Sequence, residues 1–82
     1  MINNQVIALG LLKKGELASI VGIATDCRQE IRQRLLDLGF VRGAEISIQN
    51  ISPLGDPIAY NIHGTVISLR KEDSLQVLIT HK

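Results

Sequence analysis

The chain has 82 residues, 45% of them hydrophobic and 21% charged, with a formal net charge of +1. That is the composition of a globular domain, but one this small buries only about 60% of the surface its unfolded chain exposes. There is no room for the deep cavity of a multi-substrate enzyme, and nine Lys and Arg against eight Asp and Glu provide no field to draw the protein onto nucleic acid.

Residues 1–8 read as a loose lead-in or an edge segment. Lys13-Lys14-Gly15 then forms a turn that opens a first strand over 16–24, where Ile20, Val21 and Ile23 are β-branched and Gly22 suggests a bulge or a close backbone approach. The period changes in the next segment. Ile31, Leu35 and Leu38 recur at i, i+4 and i+7, which predicts an amphipathic helix over 27–38. Asp26 is the expected N-cap, with Gln29 three residues on, and Gly39 is the expected left-handed residue past the helix end. Steps of about 100° per residue put Cys27, Ile31, Leu35 and Leu38 on one side. Gln29, Gln33 and Leu36 point the other way, so Leu36 is an apolar residue expected to face outward.

After Phe40-Val41 comes a turn at Arg42-Gly43, then a strand over 45–52 in which Ile46 and Ile48 alternate with Ser47 and Gln49. Ile51 breaks the phase and predicts a bulge or a strong bend near Asn50. Pro53-Leu54-Gly55-Asp56-Pro57 is a compact turn, where Asp56 is expected to hydrogen-bond its own backbone and Leu54 sits at the tip. Ile58, Tyr60 and Ile62 alternate with Ala59, Asn61 and His63, and His63-Gly64 reads as a tight hairpin into a strand over 65–69. A helical or 3₁₀ turn over 70–74 precedes a last strand over 76–80. Five short strands and one short helix predict an all-β fold, a small five-stranded antiparallel β-barrel, formed as a single domain over 1–82.

The chemistry-bearing residues are few. One cysteine, Cys27, excludes an internal disulfide and fits a reducing compartment; on the apolar side of the helix it is expected to serve packing. The longest apolar run, Leu17 to Ala24, is far short of the ~20 residues that span a bilayer. The Asn-rich start has no signal-peptide pattern, so a soluble, cytoplasmic protein without membrane insertion is expected. Two separated histidines, His63 and His81, and scattered carboxylates form no metal-ligand spacing. No residue is assigned a catalytic, cofactor-binding or metal-binding role, and no enzyme is expected. Arg28, Arg32, Arg34 and Arg42 lie in or just after the helix, balanced in number by Asp26, Glu30, Asp37 and Glu45, as on a solvated face. A sharper alternative is that one of them reaches a partner's nucleotide as an arginine finger, although nothing in the sequence singles one out.

Three pieces in order carry a resemblance: RQRLLDLGFVRG at 32–43 behind Glu30-Ile31, Ser52 to Pro57 with its Pro-Leu-Gly-Asp-Pro centre, and IAYNIHGTVISLRKEDSLQVLI from Ile58. Over about residues 9–80 the chain resembles the ferrous iron transport protein A, or FeoA, family. The resemblance implies an SH3-like β-barrel and a cytoplasmic accessory protein of bacterial ferrous iron uptake. The implied partner is FeoB, a membrane permease with a GTP-binding domain. It also implies a link to transition metals at the level of the family, without residues here to carry a site. Arg42 stands where the family often has Pro. Ser74 stands where a small apolar residue is common, so a slightly looser closure is expected there. The same barrel occurs as the C-terminal domain of metal-dependent repressors, which leaves a regulatory module as the alternative; against it stand the missing helix-turn-helix and basic excess. The wheel, not the resemblance, points to a partner-binding surface made of Gln29, Gln33 and Leu36 with Arg42 and Leu54. Exposed apolar positions leave self-association open.

Overall fold

Isoleucines at every second position set the sheet. In Ile58–Ile62, Ile58, Tyr60 and Ile62 are buried while Ala59 and Asn61 between them are partly exposed, which is the two-residue period of a strand with one face on the core. The computed structural model describes residues 5–82. In chain order the strands are β1 (Ile7–Ala8), β2 (Leu17–Ile23), β3 (Glu45–Ile51), β4 (Ile58–Ile62), β5 (Thr65–Leu69) and β6 (Val77–His81). A 3₁₀ turn at Leu9–Leu11 follows β1, helix α1 (Gln29–Asp37) follows β2, and a single helical turn, α2 (Lys71–Ser74), follows β5.

The strands form one sheet in the order β1-β6-β2-β3-β4-β5, and every neighbouring pair is antiparallel. The all-β architecture with one short helix is as the sequence implies, but the closed five-stranded barrel is not. Among the described residues the sheet has six strands, and no pairing joins β5 back to β1. β1 pairs with β6 through Ile7 and Ala8 before the chain turns away at Leu9. Both expected irregularities are present. The β2–β6 register shifts between Ile20 and Gly22, and the β3–β4 register shifts between Ile48 and Asn50. Such bulges bend a strand and increase its twist. At the β4–β5 hairpin His63 and Gly64 both have positive φ, 51° and 86°, the signature of a type I′ turn. The Gly64 amide also donates to Asn61 Oδ1 at 2.9 Å.

Helix α1 starts later than the spacing predicts. Its N-cap is Arg28, with no side-chain cap bond. Asp26 lies exposed in the preceding turn, because the chain first closes Cys27 N–H onto the Ala24 carbonyl at 3.1 Å. The other end follows expectation. Gly39, at φ 107°, donates to Leu36 O at 3.1 Å and Phe40 N–H donates to Leu35 O at 3.0 Å, the paired bonds of a Schellman motif. Leu35 and Phe40 are both fully buried, so this cap also seats the helix on the core. Ile31 and Cys27 pack against the core only partly, and Cys27 is half-buried rather than enclosed. Leu38, expected inward, is 39% exposed; it is the C-cap residue, where the helical wheel no longer holds.

The core is aliphatic apart from Phe40 and Tyr60, and Leu9 and Leu12 of the first turn belong to it. Ser74 is fully buried and donates to the Lys71 carbonyl at 2.7 Å. A Cβ on Gly10 would lie 2.8 Å from Leu75 Cδ2 and 2.9 Å from Ser74 Oγ. The 3₁₀ turn and α2 therefore meet at van der Waals contact through a glycine. The looser closure expected at Ser74 is not found.

Candidate functional site

Two surfaces flank α1. Its outer face carries Gln29, Gln33 and Leu36. The glutamines are exposed, Leu36 is 37% exposed, and Gln33 Nε2 donates to Asp37 Oδ1 at 2.9 Å one turn on. Its opposite flank faces α2. There Arg34 bonds Asp73 Oδ2 at 2.8 Å, with the Arg34 side chain 56% exposed and that of Asp73 14%. Half in solvent, such a pair contributes about 0–1 kcal/mol to stability; its clearer effect is to hold α1 and α2 in register. Between them opens a groove of about 540 Å³ lined by Ile31, Arg34, Leu38, Leu69 and Asp73 among others.

The Leu54 loop is built to be stiff. Gly55 N–H donates to Ser52 O at 2.8 Å and Ser52 N–H to Pro57 O at 3.3 Å, while Gly55 takes φ 85°. Asp56 does not bond its own backbone as expected. Its Oδ1 accepts the Lys71 amide at 2.9 Å, fifteen residues on, because the loop folds against the start of α2, where a helical turn leaves amides without partners. Leu54 is left 94% exposed at the tip. Through α2 this loop is joined to the Arg34 flank of α1, whereas Gln29, Gln33 and Leu36 occupy the far side of the helix. The five residues singled out in the sequence are thus all at the surface, but Leu54 is tied to a different flank from the three helical ones.

The arginines separate on inspection. Arg32 Nη2 donates to the Ala24 carbonyl at 2.7 Å, Arg34 holds Asp73, and Arg28 lies 3.7 Å from Glu30. Arg42 is exposed in the turn after the helix, and among the described residues no ion pair or hydrogen bond reaches its side chain. The balancing carboxylates take mixed partners: Glu30 lies near Arg28, Asp37 accepts from Gln33, and Glu45 lies 3.8 Å from Lys82. Arg34–Asp73 and the groove beside them escape sequence reading because the partners are 39 residues apart.

Two titratable groups are perturbed. The Lys13 amide, donating to Glu16 Oε1 at 2.7 Å, holds the Glu16 carboxyl below its ordinary value; partial burial opposes this, and His81 at 3.3 Å adds to it. Burial pushes the Tyr60 phenol above its ordinary value. The Ser74 hydrogen is already engaged with Lys71 O, and the Tyr60 hydroxyl has no hydrogen-bond partner. Among the described residues no three His, Cys, Asp or Glu side chains converge to hold a metal ion.

A family model for the FeoA domain matches residues 7–81, nearly the whole described chain. The chain belongs to the FeoA family. It is 38% identical over 69 residues, 84% of its length, to an Fe(2+) transport protein A/Fe(2+) transporter FeoB fusion protein of Porphyromonas gingivalis. It spans only 8% of that relative. The solution structure of a FeoA-like protein from Clostridium acetobutylicum superposes with a TM-score of 0.83 at 31% identity, covering 98% of this chain and 90% of that one. Stenotrophomonas maltophilia FeoA, described as an SH3 domain protein and crystallised with zinc, superposes at 0.77 and 25% identity over 89% and 88% of the two chains. The FeoA fold is thus SH3-like, as the sequence resemblance implies. A manganese-dependent transcriptional repressor shares the fold with a TM-score of 0.83 over all of this chain and 45% of its own, at 10% identity. That likeness is one of fold alone. No helix among the described residues is long and apolar enough to cross a membrane.

Proposed function

We propose that this FeoA-family chain is an accessory protein of ferrous iron uptake that acts by binding the GTP-binding iron permease FeoB. The observation that carries this reading is the Porphyromonas gingivalis relative, whose name joins an Fe(2+) transport protein A and a FeoB transporter in one polypeptide. Covalent linkage turns a bimolecular encounter into an intramolecular one at an effective concentration on the order of mM. Joining two proteins in this way has its largest benefit when they act on one another. In this reading iron is the cargo of the permease rather than a ligand of this chain.

The contact surface in this reading is the outer face of α1, Gln29, Gln33 and Leu36, with Arg42 beside its end and Leu54 on its pinned loop. An apolar anchor ringed by polar groups is how small interfaces gain affinity, and a loop already held by three hydrogen bonds loses little entropy on docking. The test is co-purification of tagged protein with FeoB in detergent. Leu36→Asp is expected to weaken retention at least tenfold, because a carboxylate would be desolvated against the partner. Its circular dichroism should remain unchanged, since Leu36 contributes little to the core. Full retention by this variant and by Leu54→Asp would exclude the surface. Absence of any FeoB retention by the unaltered protein would exclude the partner.

A further inference from the structure

The β4–β5 register leaves one edge of the sheet unpaired in a defined way. Ile62 and Thr65 flank the two-residue turn, so they exchange hydrogen bonds, as do Tyr60 with Ile67 and Ile58 with Leu69. The intervening residues of β5, Val66 and Ser68, therefore turn their N–H and C=O groups away from β4. Among the described residues no strand lies beyond β5 and no hydrogen bond occupies those groups. Native sheets usually blunt such an edge with Lys, Pro, an inward charge or a bulge. The opposite edge is blunted by its length, two residues before the chain turns away. β5, Thr-Val-Ile-Ser-Leu, carries none of these devices, and Val66 is 54% exposed.

A second observation lies beside it. The 540 Å³ groove is bounded by Ser68, Leu69 and Arg70 on one wall and by Ile31, Arg34 and Leu38 of α1 on the other. Ser68 brings one end of the β5 edge to this groove, whose far wall carries Ile31 and Leu38 beside the Arg34–Asp73 pair. The charges around it are matched: Arg34 holds Asp73 at 2.8 Å and Arg70 lies 3.8 Å from Glu72. This rim does not select a charged ligand.

We propose that the β5 edge, through the outward backbone groups of Val66 and Ser68, accepts an extended, uncharged segment of a partner protein as a seventh strand. The two outward residues stand about 7 Å apart, two strand rises, a repeat that an extended backbone matches. Alternate apolar side chains of that segment would lie against Ile31, Leu38 and Leu69. Pairing with the β5 edge of a second copy is the competing occupant, and the oligomeric state in solution decides between them. The proposal rests on the reading of this chain as a docking module and does not depend on FeoB being the partner.

Ser68→Pro removes one outward amide without touching the ladder to β4, a position where an edge strand tolerates proline. Two probes separate the edge from the partner: purified FeoB in detergent, and a phage-displayed library of random dodecapeptides. In support, FeoB slows exchange of the Val66 and Ser68 amides of the unaltered protein at least tenfold, and Ser68→Pro lowers FeoB affinity at least tenfold. The exchange measurement stands even if the variant does not fold. If FeoB does not bind, dodecapeptides with alternating apolar residues that are retained by the unaltered protein and lost by Ser68→Pro still uphold the edge, and only the partner reading fails. FeoB binding that leaves both amides and the variant's affinity unchanged overturns the edge proposal while the FeoB reading stands. A library yielding no peptide sensitive to Ser68→Pro, with FeoB not binding, overturns it as well. A dimer in solution abolished by Ser68→Pro overturns it in favour of self-pairing.

Discussion

Leu35→Ala is the sharpest test of how α1 is held. The helix has nine residues, and Leu35 is its one fully buried side chain; Ile31 only leans on the core from the groove side. Truncation removes three carbons, worth ~2.4 kcal/mol at ~0.8 kcal/mol per buried methylene, before any penalty for the cavity. Leu→Ala changes in packed cores cost roughly 2–5 kcal/mol. Phe40, sealed by the same Schellman bonds, limits how far the site can collapse, so a loss of ~3 kcal/mol is expected. Total stability for a chain this short is of order 4–12 kcal/mol. At ~4–8 °C per kcal/mol the melting temperature should fall by ~12–24 °C. Urea denaturation and thermal melting followed by circular dichroism measure both quantities. Leu36→Ala, one residue on and 37% exposed, should cost under ~1 kcal/mol. A Leu35→Ala loss below ~1 kcal/mol, or equal losses for the two variants, would refute the assignment of inner and outer helix faces on which the proposed docking surface depends.

Two further outcomes follow from buried and perturbed groups. Tyr60→Phe deletes a buried hydroxyl that has no hydrogen-bond partner, so it should leave stability unchanged or raise it by up to ~1 kcal/mol; a loss of ~1 kcal/mol or more in urea titration would mean the hydroxyl is satisfied in solution. The Glu16 carboxyl is held below its ordinary value of 4.5. Its contribution to stability is therefore fully present above that value and is lost as pH falls through the depressed folded value. An NMR titration should show Glu16 as the more acidic carboxylate compared with Glu16 in the urea-unfolded chain, and Glu16→Gln should flatten that part of the stability–pH curve.

Local pattern alone determined much of this protein. Apolar residues at period two placed β3 and β4 within a residue of their observed bounds, because a half-buried strand repeats every second residue whatever it packs against, and the hairpin placed β5. The His63-Gly64 hairpin and the bulges at Gly22 and near Asn50 were legible for the same reason: turn chemistry and a break in alternation are properties of a few adjacent residues. The Gly39 cap was equally local. The ordered motifs around Leu35, Pro53–Pro57 and Gly64 sufficed to indicate the FeoA family.

What the tertiary structure decided was every pairing between distant segments. Asp56 bonds Lys71 instead of its own backbone, Arg34 finds Asp73 instead of a neighbour on its own helix, and Gly10 is required by the side chains of Ser74 and Leu75. The start of α1 moved past Asp26 because the preceding turn used that chain first. Most consequentially, the sheet stays open at β5. Alternation specifies which face of a strand is buried but says nothing about what lies along its edge, since edge hydrogen bonds come from backbone groups that every residue carries alike. Only the placed chain shows that β5 pairs with β4 alone among the described residues, and that α1 stands across a groove from it.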